Sequence, residues 1–435
     1  MINILPKMKP VLLWCRKYPM LSLGIAFWFL GLFSISGNEM ISPLSKNFRD
    51  LKSLSTIATK GVDRQVFGFA PHWTFHKLDN VDFNVLTTLA YFDAKLSRDG
   101  NIITQDNGYK KFHSDEATEL FKKAHNLGTR VVLTVTQMNP RDVEAFLKDT
   151  EAQDRAVDQI VQEVADRGID GVNIDIEYFG SAGANYQPHF TGFVRKMAEE
   201  MHNRVPGSRV TVSLYASAVK TPRIYNVGEI ARVSDGIFMM AYDFAVTDSD
   251  QAMPTAPLYG ANTGDYWYDI STAVNDFLAV MSSDKLILGL PWYGYEYPVY
   301  SPAVKAQTQR GYYTTVRVKT KKGWRYVKRF VAPPPSRART QALTADVVGE
   351  TSGWDEKGQV GWKAYKENGS WKMIFQEDEK SLGLKYDFAI EKNLGGVGMW
   401  ALGFEDDSGT LWKVIEDKFG GKKTADAGIG RQVVR

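Results

Sequence analysis

Two carboxylates and an amide alternate with apolar residues in one short segment, Gly168-Ile-Asp-Gly-Val-Asn-Ile-Asp-Ile-Glu-Tyr178. Because side chains point to opposite faces along a strand, Asn173, Asp175 and Glu177 share one face, and the apolar residues between them share the other. Two carboxylates buried without partners cost several kcal/mol, so this polar row belongs at a strand end that solvent reaches. We expect Glu177 nearest the mouth, with Asp175 about 6–7 Å below it along the strand.

A carboxyl group in the position of Glu177 could act as a general acid. Apolar walls and a neighbouring negative charge raise the pKa of a carboxyl group and keep it protonated. Asp175 could supply that charge and also orient a substrate group. The alternative is an acidic cluster that merely caps the next helix, but three inward polar positions in strict alternation are uncommon for such a cluster.

The apolar runs around this segment predict strand–helix units and a parallel sheet. We expect strands at Val66–Ala70, Val85–Tyr91, Arg130–Thr136, Gly171–Glu177, Arg209–Leu214, Gly236–Tyr242, Leu286–Leu290 and Gly396–Leu402. The helices predicted between them include Asp115–Leu127, Asp142–Leu147, Ala152–Arg167 and Phe190–Asn203. Eight units indicate an α/β fold, a (β/α)8 barrel, whose active sites lie at the carboxyl ends of the strands. A doubly wound open sheet is the alternative, but no glycine-rich phosphate loop follows the first strand.

The connection between the seventh and eighth strands is far longer than an ordinary loop. Thr314–Val318 and Trp324–Phe330 predict a β-hairpin, and further strands are expected at Val360–Tyr365 and Trp371–Gln376. We therefore predict a small α+β insertion at 298–376, a barrel formed by 63–297 and 377–419, and a flexible tail at 420–435. The eleven Lys and Arg between Lys305 and Arg339, with no acid among them, form either a patch for an anionic polymer or membrane surface, or a solvated hairpin face.

The first 36 residues are typical of a signal peptide or an N-terminal membrane anchor, and 37–62 of a linker. Residues 1–18 carry four basic side chains and no acid, and an apolar run follows at 20–35. The run is shorter than the roughly 20 residues that span a bilayer, which favours a signal peptide, whereas the long basic lead and the bulky apolar core favour an anchor. Either interpretation predicts an extracytoplasmic protein, whether secreted, periplasmic or anchored. A buried core helix is the third interpretation.

The composition excludes several classes of protein. In 435 residues, 53 Lys and Arg oppose 50 Asp and Glu, and this balance predicts no nucleic-acid partner. Cys15 is the only cysteine, which excludes an intrachain disulfide framework and a cysteine-based zinc cluster. His72 and His76 are four residues apart, but no third ligand accompanies them, so no metal site is predicted.

Four segments, in the expected order, resemble glycoside hydrolase family 18, the chitinases and related N-acetylglucosaminidases. Asp170-Gly-Val-Asn-Ile-Asp-Ile-Glu177 resembles the fourth-strand signature of that family, and Met240-Ala-Tyr-Asp243 resembles its sixth-strand motif. Gly289-Leu-Pro-Trp-Tyr-Gly294 is similar to the seventh strand, after which the family has its α+β insertion. Gly395-Gly-Val-Gly-Met-Trp400 is similar to the eighth. With the openings Gly68–Trp73 and Leu89–Phe92, the resemblance covers about residues 65 to 418.

The resemblance implies a retaining hydrolase that cleaves β-1,4 linkages next to N-acetylglucosamine in chitin, chitooligosaccharides or peptidoglycan, by substrate-assisted catalysis. By it, Glu177 protonates the glycosidic oxygen, Asp175 orients the substrate's acetamido group, and Tyr242 binds the acetamido oxygen. It also implies that no metal or organic cofactor is needed. The substrate-binding residues that we predict are Asn173, Met240, Asp243 and Trp400, with Tyr215 and Tyr293 added because they follow strands. Trp73, Trp267 and Trp292 are expected to pack rather than to bind sugar.

Asn173 departs from the family pattern, since many members carry Asp there. Asn cannot share a proton with Asp175, although its amide can donate a hydrogen bond to that carboxylate. Asn is also familiar from branches that include spore-cortex-lytic enzymes and lysosomal chitobiase. Activity is therefore still expected from the resemblance.

The expected partner is an oligosaccharide or polysaccharide that contains N-acetylglucosamine, together with a membrane if the N-terminal segment is retained. One alternative is a catalytically silent, lectin-like sugar-binding protein; such members typically lack the residue equivalent to Glu177, which is present here. Another is a membrane-tethered structural protein, which would leave the Asn-Asp-Glu row unexplained.

Overall fold

The computed structural model describes residues 64–420, apart from 182, 321–322, 333–335 and 341–348. The predicted signal or anchor segment (1–36), the linker (37–62) and all but the first residue of the tail (420–435) lie outside the described residues. Within the described part of the chain, no helix combines the length and the apolar composition that crossing a membrane requires.

Eight parallel strands close into a barrel. They are β1 (Gln65–Pro71), β2 (Thr88–Lys95), β3 (Arg130–Gln137), β4 (Gly171–Ile176), β5 (Arg209–Tyr215), β6 (Gly236–Met240), β7 (Leu286–Pro291) and β15 (Gly396–Trp400). Each strand pairs with the next along the chain, and β15 closes the ring between β7 and β1. The predicted (β/α)8 barrel is confirmed.

The strand boundaries differ from the predicted ones by a few residues. β4, β6 and β15 end one or two residues early, at Ile176, Met240 and Trp400, because the following residues leave the paired ladder at the carboxyl-end face. β2 begins at Thr88 rather than Val85, since the backbone N–H groups of Val85 and Leu86 both donate to the Asp82 carbonyl in a turn.

Helices pack around the outside of the barrel. They are α1 (Asn107–Phe112), α2 (Asp115–Asn126), α3 (Pro140–Lys148), α4 (Thr150–Arg167), α5 (Gln187–Arg204), α6 (Val227–Val233), α7 (Ile270–Leu278), α8 (Glu379–Glu391) and α9 (Thr410–Phe419). Short polar side chains begin several of them: Ser114, Asp149 and Asp269 each accept a hydrogen bond from a first-turn N–H. The four helices predicted from the sequence match α2 to α5 within three residues at each end.

The alternation of strand side chains divides the barrel into two cores. Val172, Ile174 and Ile176 point outward and belong to the apolar layer between strands and helices, as predicted. Phe67, Phe69, Phe92, Phe238 and Ile287 are among the side chains that fill the inside. Burying each large apolar side chain stabilises the fold by about 1.5–3 kcal/mol.

The described residues between β7 and β15 form seven strands. They are β8 (Tyr293–Val299), β9 (Tyr312–Thr320), β10 (Gly323–Val331), β11 (Arg337–Thr340), β12 (Thr351–Asp355), β13 (Val360–Glu367) and β14 (Ser370–Gln376). β8 and β11 to β14 form a five-stranded antiparallel sheet in the order β11-β8-β14-β13-β12. β9 and β10 form the predicted hairpin, and every described element between 293 and 376 is a strand.

The insertion sheet lies beside the barrel mouth. A single residue separates the end of β7 from the start of β8 at Tyr293. The insertion sheet therefore begins before residue 298, where the sequence predicted its start. Its apolar cluster, which includes Tyr293, Tyr295 and Phe375, packs against Tyr242 and Trp400 of the barrel. The insertion therefore forms one wall of the space above the strands.

Candidate active site

The polar row of β4 points into the barrel and rises toward its mouth. Asn173 is fully buried and Asp175 is buried, whereas Glu177, which directly follows the strand, is half-buried. The backbone N–H of Glu177 donates to the Gln137 carbonyl at 2.9 Å, which fixes the residue beside β3 after regular pairing ends. The three side chains thus lie in the expected order, from the buried interior to the mouth.

Gly171 begins this row at a close approach of β4 and β5. A Cβ at this position would lie 1.9 Å from the Arg209 carbonyl oxygen, and the backbone φ is +142°. Both the contact and the dihedral exclude a larger side chain without rearrangement. The glycine therefore sets the spacing between β4 and the neighbouring strand that supplies partners for Asn173.

Asn173 is bound by β5 on both sides of its amide. Its Nδ2 donates to Ser213 Oγ at 2.9 Å, and its Oδ1 accepts from Thr211 Oγ1 at 2.9 Å. The hydrogen bonds of the Asn173 amide therefore run to β5, and the bond to Asp175 that its amide could donate is not among them. With no exposed surface, Asn173 supports the row from below and offers no atom for a direct contact with a sugar.

Asp175 carries a buried oxygen without a protein partner. Its Oδ1 has no hydrogen bond to any described residue, although the side chain is only 4% exposed. Burial, the nearby Glu177 and then Asp93 raise the pKa of Asp175 well above its usual range. A buried carboxylate oxygen of this kind costs free energy unless something donates to it, so the site is built to receive an N–H or O–H group.

Glu177 is held by a tyrosine from the next strand. The Tyr215 hydroxyl donates to Glu177 Oε2 at 2.8 Å. Burial raises the pKa of Glu177; the Tyr215 hydrogen bond lowers this pKa, Asp243 raises it and Arg223 lowers it. The net direction is upward, which suits a carboxyl group that must carry a proton near neutral pH.

Asp243 is fixed by hydroxyl groups from the insertion. Tyr293 and Tyr295, both on β8, donate to its Oδ1 at 2.5 and 2.7 Å. Its backbone N–H donates to Thr255 Oγ1 at 2.9 Å, and its φ of +59° lies in the left-handed region. The insertion thus positions a carboxylate at the edge of the barrel mouth.

Seven of the nine predicted site residues line one cavity of about 200 Å³, which we call the inner cavity. They are Asp175, Glu177, Met240, Tyr242, Asp243, Tyr293 and Trp400. The Trp400 ring packs against Phe92 and Phe69, with centroids 4.7 and 5.5 Å away, and so forms a rigid aromatic floor. The volume and the mixed apolar and polar lining suit one sugar ring.

Two larger cavities flank the inner cavity and extend the cleft. The outer cavity, about 340 Å³, shares Glu177, Met240, Tyr242 and Asp243 with it and adds Tyr215. The third cavity, about 550 Å³, shares Phe92 and Met138 with the inner cavity. The three cavities are thus neighbours at the barrel mouth, and Glu177 lines both the inner and the outer cavity.

The tryptophans that the sequence assigned to packing divide into two groups. Trp292 is 1% exposed and packs edge-on against Trp412, as predicted. By contrast, Trp267 lines the outer cavity and Trp73 the third cavity, and each is about half exposed. Both rings also pack, Trp267 on Tyr268 and Trp73 edge-on against Phe92, so the expectation that they pack rather than bind sugar stays a prediction.

Three site residues were not predicted. Asp93, buried at the end of β2, accepts from Thr136 Oγ1 at 2.6 Å and helps to raise the pKa of Asp175. Tyr295 repeats the Tyr293 contact two residues further along β8, a period-2 signal that the sequence did contain. Arg223 lies on the loop after β5, where no periodicity marks it. Within the described residues, no group of three or more His, Cys, Asp and Glu is arranged to hold a metal ion.

Several known proteins are similar to this chain. The rat di-N-acetylchitobiase is 27% identical over 300 residues, which cover 67% of this chain and 76% of the rat protein. The human di-N-acetylchitobiase is 25% identical over 337 residues, or 74% of this chain and 80% of the human protein. Among solved structures, a family 18 chitinase from Cycas revoluta in complex with (GlcNAc)3 superposes with a TM-score of 0.66 at 20% identity, covering 82% of this chain and all of that chain.

The family model described as "Glycosyl hydrolases family 18" matches residues 65–405, which include all eight barrel strands and the whole insertion. The resemblance seen in the four motifs is therefore confirmed. The chain belongs to glycosyl hydrolases family 18.

Proposed function

We propose that this protein is a retaining glycoside hydrolase that cleaves β-1,4 linkages next to N-acetylglucosamine, in chitin, chitooligosaccharides or peptidoglycan strands. The observation that carries the proposal is the unpaired Asp175 oxygen below Glu177, in a cavity of one sugar's size with a tryptophan floor. An acetamido N–H is the donor that such an oxygen would accept. The relatives named di-N-acetylchitobiase and the chitinase bound to (GlcNAc)3 support this class of substrate.

In the first step, Glu177 transfers its proton to the glycosidic oxygen as the bond from that oxygen to the anomeric carbon breaks. The carbonyl oxygen of the substrate's own 2-acetamido group forms a bond to the anomeric carbon from the opposite face, which gives an oxazolinium ion. Asp175 accepts the acetamido N–H and stabilises the positive charge that develops next to it. The Tyr242 hydroxyl, at the wall of the inner cavity, holds the acetamido group in line.

In the second step, Glu177 is ionised and takes a proton from water, whose oxygen attacks the anomeric carbon and opens the oxazolinium ring. The configuration is retained because two inversions occur at one carbon. Burial raises the pKa of both carboxyl groups, and the charge of Glu177 raises the pKa of Asp175 further. An acetamido N–H that donates to Asp175 would stabilise its carboxylate form and leave the proton on Glu177, where the first step needs it.

The basic and apolar N-terminal sequence supports an extracytoplasmic location for this activity, either secreted, periplasmic or anchored with the enzyme facing outward. The alternative function is that of a catalytically silent lectin. The presence and placement of Glu177 favour the enzyme, because a lectin needs no acid between its two sugar-binding cavities.

The test is proton NMR of the full-length protein with chitotetraose, beside Glu177→Gln. We expect the β-anomer to appear first with the wild type, and hydrolysis to fall by at least about 10³-fold in the variant, because its amide cannot donate the proton. Binding of chitotetraose, measured by calorimetry, should remain in the variant. Glu119→Gln, an exposed substitution on α2, is the matched control and should hydrolyse like the wild type.

Two outcomes would contradict the proposal. Early release of the α-anomer would show an inverting mechanism. Saturable binding by the wild type without hydrolysis of chitotetraose or peptidoglycan fragments would establish the lectin instead.

A further inference from the structure

The outer cavity contains a cation that the steps above do not use. Arg223 lines this cavity together with Phe179, Tyr215 and Trp267, on the far side of Glu177 from the inner cavity. In the proposed reaction the inner cavity holds the sugar whose acetamido group reacts. The outer cavity must then hold the sugar that leaves, whose O4 accepts the proton from Glu177.

The guanidinium group of Arg223 is held in place by aromatic rings. Its central carbon lies 4.5 Å from the Phe179 ring centroid and 5.0 Å from that of Tyr215. No hydrogen bond or ion pair of the guanidinium is recorded with another described residue. Both rings contact the group, and its N–H donors are available to a planar acceptor with two oxygens.

The backbone of Arg223 is fixed as well. Its φ is +47°, which is uncommon for a residue other than glycine, and its carbonyl accepts from Gln187 Nε2 at 3.2 Å. Residues held in such a conformation concentrate at functional sites. The arginine is therefore a preorganised cation and not a mobile surface side chain.

The position of this cation distinguishes two kinds of leaving sugar. Arg223 and Glu177 line the same cavity, and the charge of Arg223 lowers the pKa of Glu177. On a sugar linked through O4, the two neighbouring ring carbons carry O3 and the C5 hydroxymethyl group, and the two polymers differ at O3. Chitin has a neutral hydroxyl there, whereas the repeat of peptidoglycan has a lactyl ether that ends in a carboxyl group.

We propose that Arg223 binds the lactyl carboxylate of the sugar in the outer cavity, so that the enzyme prefers N-acetylglucosamine linked β-1,4 to a 3-O-lactyl sugar over chitin. This inference rests on the proposed hydrolysis and names its substrate. In intact peptidoglycan the lactyl carboxyl forms an amide bond with the stem peptide. The preferred strand is consequently one whose peptides an amide-hydrolysing reaction has already removed.

The same contact would assist the chemistry. In the free protein, Arg223 lowers the pKa of Glu177. A bound carboxylate offsets that positive charge, so the pKa of Glu177 rises and the acid keeps its proton until the glycosidic oxygen is in place.

The test compares a peptide-free tetrasaccharide of the peptidoglycan repeat with its neutral lactyl methyl ester. We expect the wild type to favour the acid over the ester in kcat/KM by about tenfold or more, because a hydrogen bond to a charged group contributes about 1.5–3 kcal/mol. In Arg223→Met the ratio should fall close to one, and Arg223→Lys should keep part of it. Lys220→Met is the matched control: Lys220 is an exposed cation that packs on Trp267 and Tyr268, and its loss should leave the ratio unchanged.

If Arg223→Met lowers kcat/KM equally for the acid and the ester, so that their ratio is unchanged, the proposal is overturned. The arginine would then only position Tyr215 and Phe179. A wild type that cleaves chitotetraose but does not distinguish acid from ester would also overturn it, while the proposed hydrolysis would stand. If nothing is cleaved, the proposed function fails, and the affinities of Glu177→Gln for acid and ester, measured by calorimetry, still decide the contact.

Discussion

At Glu177, two raising and two lowering influences set the pKa of one carboxyl group. Burial and Asp243 raise it, whereas the hydrogen bond from Tyr215 and the charge of Arg223 lower it. In the proposed mechanism Glu177 is a general acid and needs a pKa near the working pH, so removing either pair of influences should lower activity. The protonation of Glu177 should therefore respond to single substitutions around it.

Tyr215→Phe removes the hydroxyl that stabilises the ionised form of Glu177. The pKa of Glu177 should rise, because the carboxylate loses a donor while its burial remains. A general acid is lost as the pH rises through its pKa, so the basic limb of the kcat/KM profile should move to higher pH. Tyr300→Phe, an exposed ring of the insertion, serves as the control. A basic limb that stays in place or moves to lower pH would refute this account.

The sequence predicted which side chains share the polar face but not which partners they would have. Alternation along β4 is a local property, and Asn173, Asp175 and Glu177 lie in the expected row. The partners of Asn173 come from β5, about forty residues later, and depend on the stagger between strands that pairs Asn173 with Thr211. Arg223 lies on a loop whose path no local pattern describes.

At the level of elements, the approach of β4 to β5 depends on Gly171. Gly171→Ala should destabilise the protein by about 1–3 kcal/mol, since the new methyl group meets the Arg209 carbonyl and the backbone cannot keep its φ of +142°. Urea unfolding measures the change. Gly192→Ala, in α5 with no atom within 4 Å of the new Cβ, is the control and should be neutral or slightly stabilising. An unchanged midpoint for Gly171→Ala would show that the strands can separate freely.

The eight barrel strands were predictable because their apolar runs alternate with helical patterns, a signal that each segment contains locally. The start of the insertion was not predictable from such local patterns. Tyr293-Gly-Tyr-Glu-Tyr297 continues the apolar run of β7 after one residue, and its burial equals that of a barrel strand. Only the pairing of β8 with β14 and β11 assigns this segment to the second sheet.

For the molecule as a whole, the β9–β10 hairpin contributes little to the folded barrel. Among the described strands it pairs only with itself, and Trp324 and Tyr326 are 57% and 73% exposed. Replacing 314–329 with a short Gly-Ser turn should leave the thermal midpoint within about 2 °C of the wild type, as followed by circular dichroism. Phe375→Ala, buried in the insertion sheet, should by contrast cost about 3–5 kcal/mol. A hairpin deletion as damaging as Phe375→Ala would show that the hairpin packs against the rest of the chain.

The hydroxyl groups of Tyr293 and Tyr295 have a consequence for how such enzymes can diverge. Both donate to Asp243, a residue of the barrel, from the start of β8, the first strand of the second sheet. Recombination that replaced the insertion with one lacking both tyrosines would therefore leave Asp243 without these two donors. In this chain the barrel and the insertion are coupled at the mouth, whereas the exposed hairpin pairs with no barrel strand among the described residues.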